Sequence, residues 1–158
     1  MGMFDDLKCE YPLPDGHMQD APFQTKDTPA QYMERYTITA DGRLIHHAVE
    51  YFDNPPEQRP YYDPEIKGFK NEIDEICGII GQRPIGDIDT RWHGDIYFYT
   101  SVGWFADGAK SYHVSRGLEG DYAYRPDNTK ESARYEWFEY RARFTNGRIQ
   151  SIERMPER

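Results

Sequence analysis

The sequence predicts an α+β fold: a mainly antiparallel β-sheet built from hairpins, with one amphipathic helix at about 63–80 packed on it. Three observations predict it. Two Gly-containing turns each separate a pair of strand-like runs, the clearest runs alternate apolar and polar residues, and one stretch switches to a helical period.

The hairpins come first. In "YTITADGRLIHHAVEYF" (36–52) the pair Asp41-Gly42 lies between two extended runs, and in "YEWFEYRARFTNGRIQSIE" (135–153) Asn146-Gly147 does the same. Both dipeptides favour the left-handed conformations of a two-residue type I′ turn. Ahead of the second turn, Phe138, Tyr140, Ala142 and Phe144 share one strand face, and Glu139, Arg141 and Arg143 share the other. "DIYFYTSV" (95–102) alternates in the same way, with Ile96, Phe98 and Thr100 opposite Tyr97, Tyr99 and Ser101, and is expected near the sheet centre.

The helical stretch is "DPEIKGFKNEIDEICGII". Its Ile66, Phe69, Ile73, Ile76 and Ile80 recur at spacings of three and four, and charged residues fill most of the positions between. Asp63 is the expected N-cap, Pro64 the first helical residue and Gly81 the C-terminal cap. Short extended pieces are expected around Cys9-Glu10-Tyr11 and Phe23-Gln24-Thr25 in an otherwise Pro-punctuated segment. The polar, Gly-rich stretch 106–132 is long enough to suggest a binding arm or a further hairpin.

At 158 residues the chain is expected to form a single domain, 1–158. Aromatic residues make up 15%, which argues against disorder despite 30% charged residues, and 13 Tyr favour strands. Cys9 and Cys77 are too few and too far apart for a disulfide framework or a structural zinc site. The opening residues carry Asp5 and Asp6 where a secretory signal would be basic, and no apolar run reaches the length of a membrane span, so a cytoplasmic protein is expected.

The net charge is -9, and it is uneven: 12 acids against 5 bases in 1–64, 10 against 6 in 65–121, and 6 against 8 in 122–158. Such a chain repels nucleic acid at long range and favours basic partners. The expected interaction residues are Glu72, Asp74 and Glu75 together with Tyr61, Tyr62, Tyr112, Tyr122 and Tyr124, since Tyr is enriched at interfaces. No catalytic residue is assigned and no cofactor is expected. Phosphate-binding glycine loops, a Gly-x-Ser-x-Gly elbow and a His-Glu-x-x-His pair are all missing from the sequence.

One cluster competes with that reading. "GDIDTRWHGD" (86–95) places Asp87, Asp89 and His93 on one face of an extended segment, and oxygen and nitrogen ligands suit Mn, Fe or Zn. Alternate residues of a strand stand about 7 Å apart, too far to share one ion without a bend, and Arg91 lies between them. A solvated strand leading into "DIYFYTS" is the favoured reading, with these three residues as weak metal candidates.

The N-terminal third carries a resemblance. Phe4-Asp5, Cys9-Glu10-Tyr11-Pro12-Leu13-Pro14, Phe23-Gln24-Thr25-Lys26 and the Tyr36–Leu44 hairpin resemble a family of small uncharacterised phage, prophage and bacterial proteins. The resemblance covers the first 45 residues and is loose beyond them. It transfers no catalytic residue, and it implies an accessory protein of mobile elements. Together with the charge, it gives the leading expectation of a non-enzymatic acidic interaction protein that engages a basic host or phage protein and inhibits a host nucleic-acid-binding or defence component. No direct nucleic-acid or membrane contact is expected. The alternatives are a nucleotide-like small-ligand binder lined by Tyr and His, and a metal-dependent hydrolase at Asp87, Asp89 and His93.

Overall fold

The structure, a computed structural model, describes residues 4–29, 33–105, 110–112 and 132–156. It is mainly β. The strands are β1 (Asp5–Cys9), β2 (Phe23–Thr25), β3 (Arg35–Ile38), β4 (Leu44–Asp53), β5 (Ile80–Asp89), β6 (Gly94–Phe105), β7 (Lys110–Tyr112), β8 (Ser132–Thr145) and β9 (Arg148–Arg154), with one short helix, α1 (Glu72–Ile76). They form a mixed sheet in the order β5-β4-β3-β1-β2-β6-β8-β9, with β7 also on β6. β1 and β3 run parallel, while β1–β2, β2–β6, β3–β4, β6–β7, β6–β8 and β8–β9 pair antiparallel. Among the described residues no helix is long and apolar enough to cross a membrane.

Two compact units divide the chain, residues 1–47 with 87–158, and residues 48–86. In the larger one, strand alternation builds the core as the sequence predicts. Leu7 and Cys9 of β1, Phe23 of β2, Tyr36 and Ile38 of β3, Ile96, Phe98 and Val102 of β6, and Phe138, Tyr140, Ala142 and Phe144 of β8 are all buried. Phe23, Phe98 and Tyr140 meet as an aromatic trio with centroids 5.1–5.8 Å apart. Long β6 lies centrally, pairing with β8 along its whole length and with β2 and β7.

The Pro-punctuated segment 10–22 closes over this core. Leu13, Met18 and Ala21 are buried in it, and a single side chain, Gln19, secures the fold-back. Its amide accepts from the Leu13 N–H at 2.9 Å and donates to the carbonyls of Cys9 and Tyr11 at 2.9 and 3.0 Å. From the sheet side, the Tyr140 hydroxyl donates to Asp15 at 2.7 Å.

The hairpins form, by different turns. Asn146 (φ 50°) and Gly147 (φ 86°) are both left-handed, the type I′ pair that the sequence predicts. At the first turn only Gly42 is left-handed (φ 86°), while the Gly42 N–H bonds the Thr39 carbonyl and the Thr39 N–H bonds the Arg43 carbonyl. That is a three-residue loop, Ala40 to Gly42, rather than a type I′ turn. The two tips touch: the Ile149 N–H donates to the Gly42 carbonyl at 2.8 Å, the Gly147 N–H to the Trp92 carbonyl at 2.8 Å, and Arg148 reaches Asp41 at 3.3 Å.

The predicted helix is the main correction. Residues 63–80 do not form one amphipathic helix packed on the sheet; the helix is confined to Glu72–Ile76 and is capped by Asn71, whose side chain accepts from the Asp74 N–H at 2.8 Å. Ahead of it, Asp63 and Gly68 exchange both backbone hydrogen bonds around Lys67 at φ 54°, a tight turn where the first helical turns were expected. A short helix needs an apolar surface to pack on. Among the described residues the stripe has almost none: Phe69 is half-buried edge-on to Tyr62, but Ile66, Ile73, Ile76 and Ile80 are 55–71% exposed.

Two outcomes follow. Gly42→Ala places a Cβ 2.4 Å from Ile149 Cγ2 at a left-handed φ, so a loss of about 2 kcal/mol or more is expected by urea unfolding. Burial pushes the Cys9 thiol up from 9.0 to about 12, and burial together with the bond to Asp15 raises Tyr140 above its ordinary range. Both are held protonated by the fold, so their contribution is complete below about pH 9 and declines as pH rises toward about 12. Urea titrations between about pH 8 and about pH 11 check this, with Cys9→Ala expected to flatten the decline.

Candidate functional site

Two features of the described residues have the character of sites. The first is an open groove of about 420 Å³ lined by Glu10, Thr37, Thr39, Arg43, Ile45, His47, Asp87 and Asp89. It lies on the side of β3 opposite the core, because Tyr36 and Ile38 point inward and Thr37 between them points out. Hairpin register brings the next wall: Thr37 pairs with Ile45, and His47 stands two residues further on the same face. β5, next to β4 in the sheet, supplies Asp87 and Asp89.

Hydrogen bonds fix the imidazole from both sides. His47 Nδ1 lies 2.8 Å from Asp87 Oδ1, and Nε2 lies 2.7 Å from Thr37 Oγ1. Thr37 is buried, and its exposed remnant lines the groove. Arg43 sits between two acids, 3.0 Å from Asp41 and 3.7 Å from Asp89. The Thr39 hydroxyl donates to Asp41 and, with Arg43 beside it, holds that carboxyl below its usual range. With three carboxylates against one guanidinium, the groove disfavours phosphate groups.

The second feature is the surface of residues 48–86. This unit carries eight acids against four bases. Ala48 is its only buried apolar residue, while Tyr51, Tyr61, Ile66, Ile73, Ile76, Ile80 and Ile85 are all 47–71% exposed. Its internal order comes from polar and stacking contacts instead: Asn54 and Arg59 bond the carbonyls of Gly78 and Glu75, Arg83 pairs with Glu50 at 2.7 Å, and the Arg83 guanidinium lies 4.9 Å over the Phe52 ring.

The predicted site residues fall out unevenly. Glu72, Asp74 and Glu75 all stand on α1, with Glu72 and Glu75 exposed and Asp74 half-buried. Tyr61 is exposed, and Tyr62 is half-buried edge-on to Phe69. Tyr112 ends β7 opposite Val102. Tyr122 and Tyr124, with most of the 106–132 stretch, lie outside the described residues.

"GDIDTRWHGD" is not one strand. β5 stops at Asp89, the backbone turns at Arg91 with φ 50°, and β6 starts at Gly94. The bend that could have gathered ligands separates them. Asp87 turns to His47, Asp89 accepts the Arg91 N–H at 2.9 Å and faces Arg43, and His93 Nδ1 accepts the Asn146 N–H at 3.2 Å. Among the described residues no group of three or more His, Cys, Asp or Glu side chains could hold a metal ion. Sequence reasoning missed the Thr37–His47–Asp87 chain because it grouped Asp87 with its neighbours. The two-residue turn expected from Asp41-Gly42 would have paired Thr37 with His46; the three-residue loop shifts the register by one, pairs Thr37 with Ile45 and so puts His47 on the face of Thr37.

Comparison with known protein families, curated proteins and solved structures gives no match. The metal reading has a direct check: since Asp87, Asp89 and His93 have separate partners, added Mn²⁺ or Zn²⁺ is expected to leave Tm unchanged. A saturable rise in Tm with either ion would restore it.

Proposed function

We propose that this chain is an interaction protein whose 48–86 unit docks on a basic protein surface. The observation that supports it most is the exposed apolar set Ile66, Ile73, Ile76, Ile80 and Ile85 on an acidic unit with almost no interior. Apolar side chains left in water in this density mark a surface that another molecule covers. Lys67 and Lys70 lie between Ile66 and Ile73, but Glu72, Asp74 and Glu75 cluster around Ile73 and Ile76 on α1, so the surface that covers those two isoleucines combines apolar anchors with Lys or Arg. A second copy of the chain would bring the same negative charge to the contact.

The resemblance of residues 4–44 to small phage, prophage and bacterial proteins makes a host protein the expected partner. Nucleic-acid-binding and defence components present the basic faces that such a surface fits, and covering one would block it. The alternative of nucleotide sequestration finds less support, because the described groove is acidic and lined by no tyrosine.

The test is affinity capture from bacterial lysate with the native chain and the Glu72→Lys/Asp74→Lys/Glu75→Lys variant side by side. A basic protein retained by the native chain and reduced about tenfold or more by the reversal is expected, as like charges now face each other. Equal retention by both chains, or no specific partner for either, removes the proposal.

A further inference from the structure

Thr37, His47 and Asp87 stand on three neighbouring strands and form one continuous hydrogen-bond chain, with the hydroxyl 2.7 Å from Nε2 and the carboxylate 2.8 Å from Nδ1. The order of atoms matters. An ionised carboxylate can only accept, so in the tautomer with its hydrogen on Nδ1 the imidazole donates to Asp87 and offers its Nε2 lone pair to the Thr37 hydroxyl. That is the connectivity of a hydroxyl–imidazole–carboxylate triad, assembled from residues 10 and 40 positions apart, and it opens on a groove of about 420 Å³.

From this geometry we propose that Thr37 is an acyl-accepting nucleophile, with His47 as its general base and Asp87 orienting the imidazole and balancing its charge. The Thr37 Oγ attacks an ester carbonyl carbon while its proton passes to His47 Nε2. Arg43, in the same groove, is the cation that the developing oxyanion meets. The carbon–oxygen bond to the leaving alcohol then breaks, and the alcohol departs with the proton from Nε2. Water attacks the resulting threonyl ester, its proton going to His47 and then to Thr37, so ester and water become acid and alcohol. Glu10 and Asp89 beside the chain favour a small ester that carries a positive charge over an anionic one.

This site is independent of the docking surface on 48–86, so partner capture neither supports nor weakens it. The test uses the full native chain, a fluorophosphonate probe with peptide mapping, and hydrolysis of p-nitrophenyl acetate. Labelling at Thr37 is expected. Thr37→Val, of nearly the same shape, abolishes labelling while keeping Tm, and Thr37→Ser, with a less hindered hydroxyl, retains or raises it. His47→Gln lowers ester turnover by about 10²–10⁴-fold. A hydrogen-bonded strut with no chemistry would also lose Tm in His47→Gln, but would leave Thr37 unlabelled. Absence of an adduct at Thr37 in the folded chain, or labelling and turnover unchanged by Thr37→Val and His47→Gln, overturns the proposal.

Discussion

The union of the two hairpin tips sets the geometry of the larger unit. Gly42 belongs to the β3–β4 turn and Ile149 to the strand after the β8–β9 turn, elements far apart in the sheet order. Yet Ile149 donates its N–H to the Gly42 carbonyl, and its side chain occupies the space that a Cβ at position 42 would need. Thr90, Arg91 and Trp92 run between the tips. The Thr90 N–H and hydroxyl both donate to the Leu44 carbonyl, and Trp92 accepts from Gly147. A turn that brings the chain from β5 to β6 is thereby held at both ends by the hairpins it passes. The strand ends that carry Asp87 and Asp89 are placed by the same contacts, so the groove inherits its shape from this junction.

The core is apolar with a few polar members, and those members decide how its cover is attached. Tyr140 contributes its ring to the aromatic trio and its hydroxyl to Asp15 in the covering segment. Arg154 of β9 lies 4.3 Å over the Phe138 ring, pairs with Glu136 at 3.1 Å and approaches Asp15 at 3.7 Å. The cover therefore bonds to the far hairpin as well as to its own strand. Asp5 is wholly buried, but its side-chain oxygens accept from the Thr28 hydroxyl and the Glu34 N–H, which is how a polar group is tolerated there.

Much of this sheet was legible in the sequence, and the reasons are local. The alternation around Phe138–Phe144 and Ile96–Val102 depends only on the two-residue period of a strand, and both turns were marked by glycines whose left-handed φ few other residues adopt. The helix was misread because periodicity states which residues would share a face and is silent on whether anything covers that face. At Ile66, Ile73, Ile76 and Ile80 none of the described residues does, and they stand 55–71% exposed. The metal candidates show the limit of proximity in sequence. Asp87, Asp89 and His93 are close in sequence, but a left-handed Arg91 sends them to three different partners, and the partner of Asp87 is a histidine 40 positions earlier. Pairings of that length follow from sheet order, which local pattern does not supply.

The near absence of an interior in residues 48–86 has a consequence for how that unit behaves. Stability that rests on exposed hydrogen bonds and ion pairs is shallow, since water competes for each of them. Opening such a segment costs far less than global unfolding, and amides there exchange by local excursions while the core strands stay closed. A surface of this kind does not need to match its partner in advance. If a partner docks there as proposed, the segment can be remade around it, trading affinity for tolerance, because part of the binding free energy would go into ordering the segment.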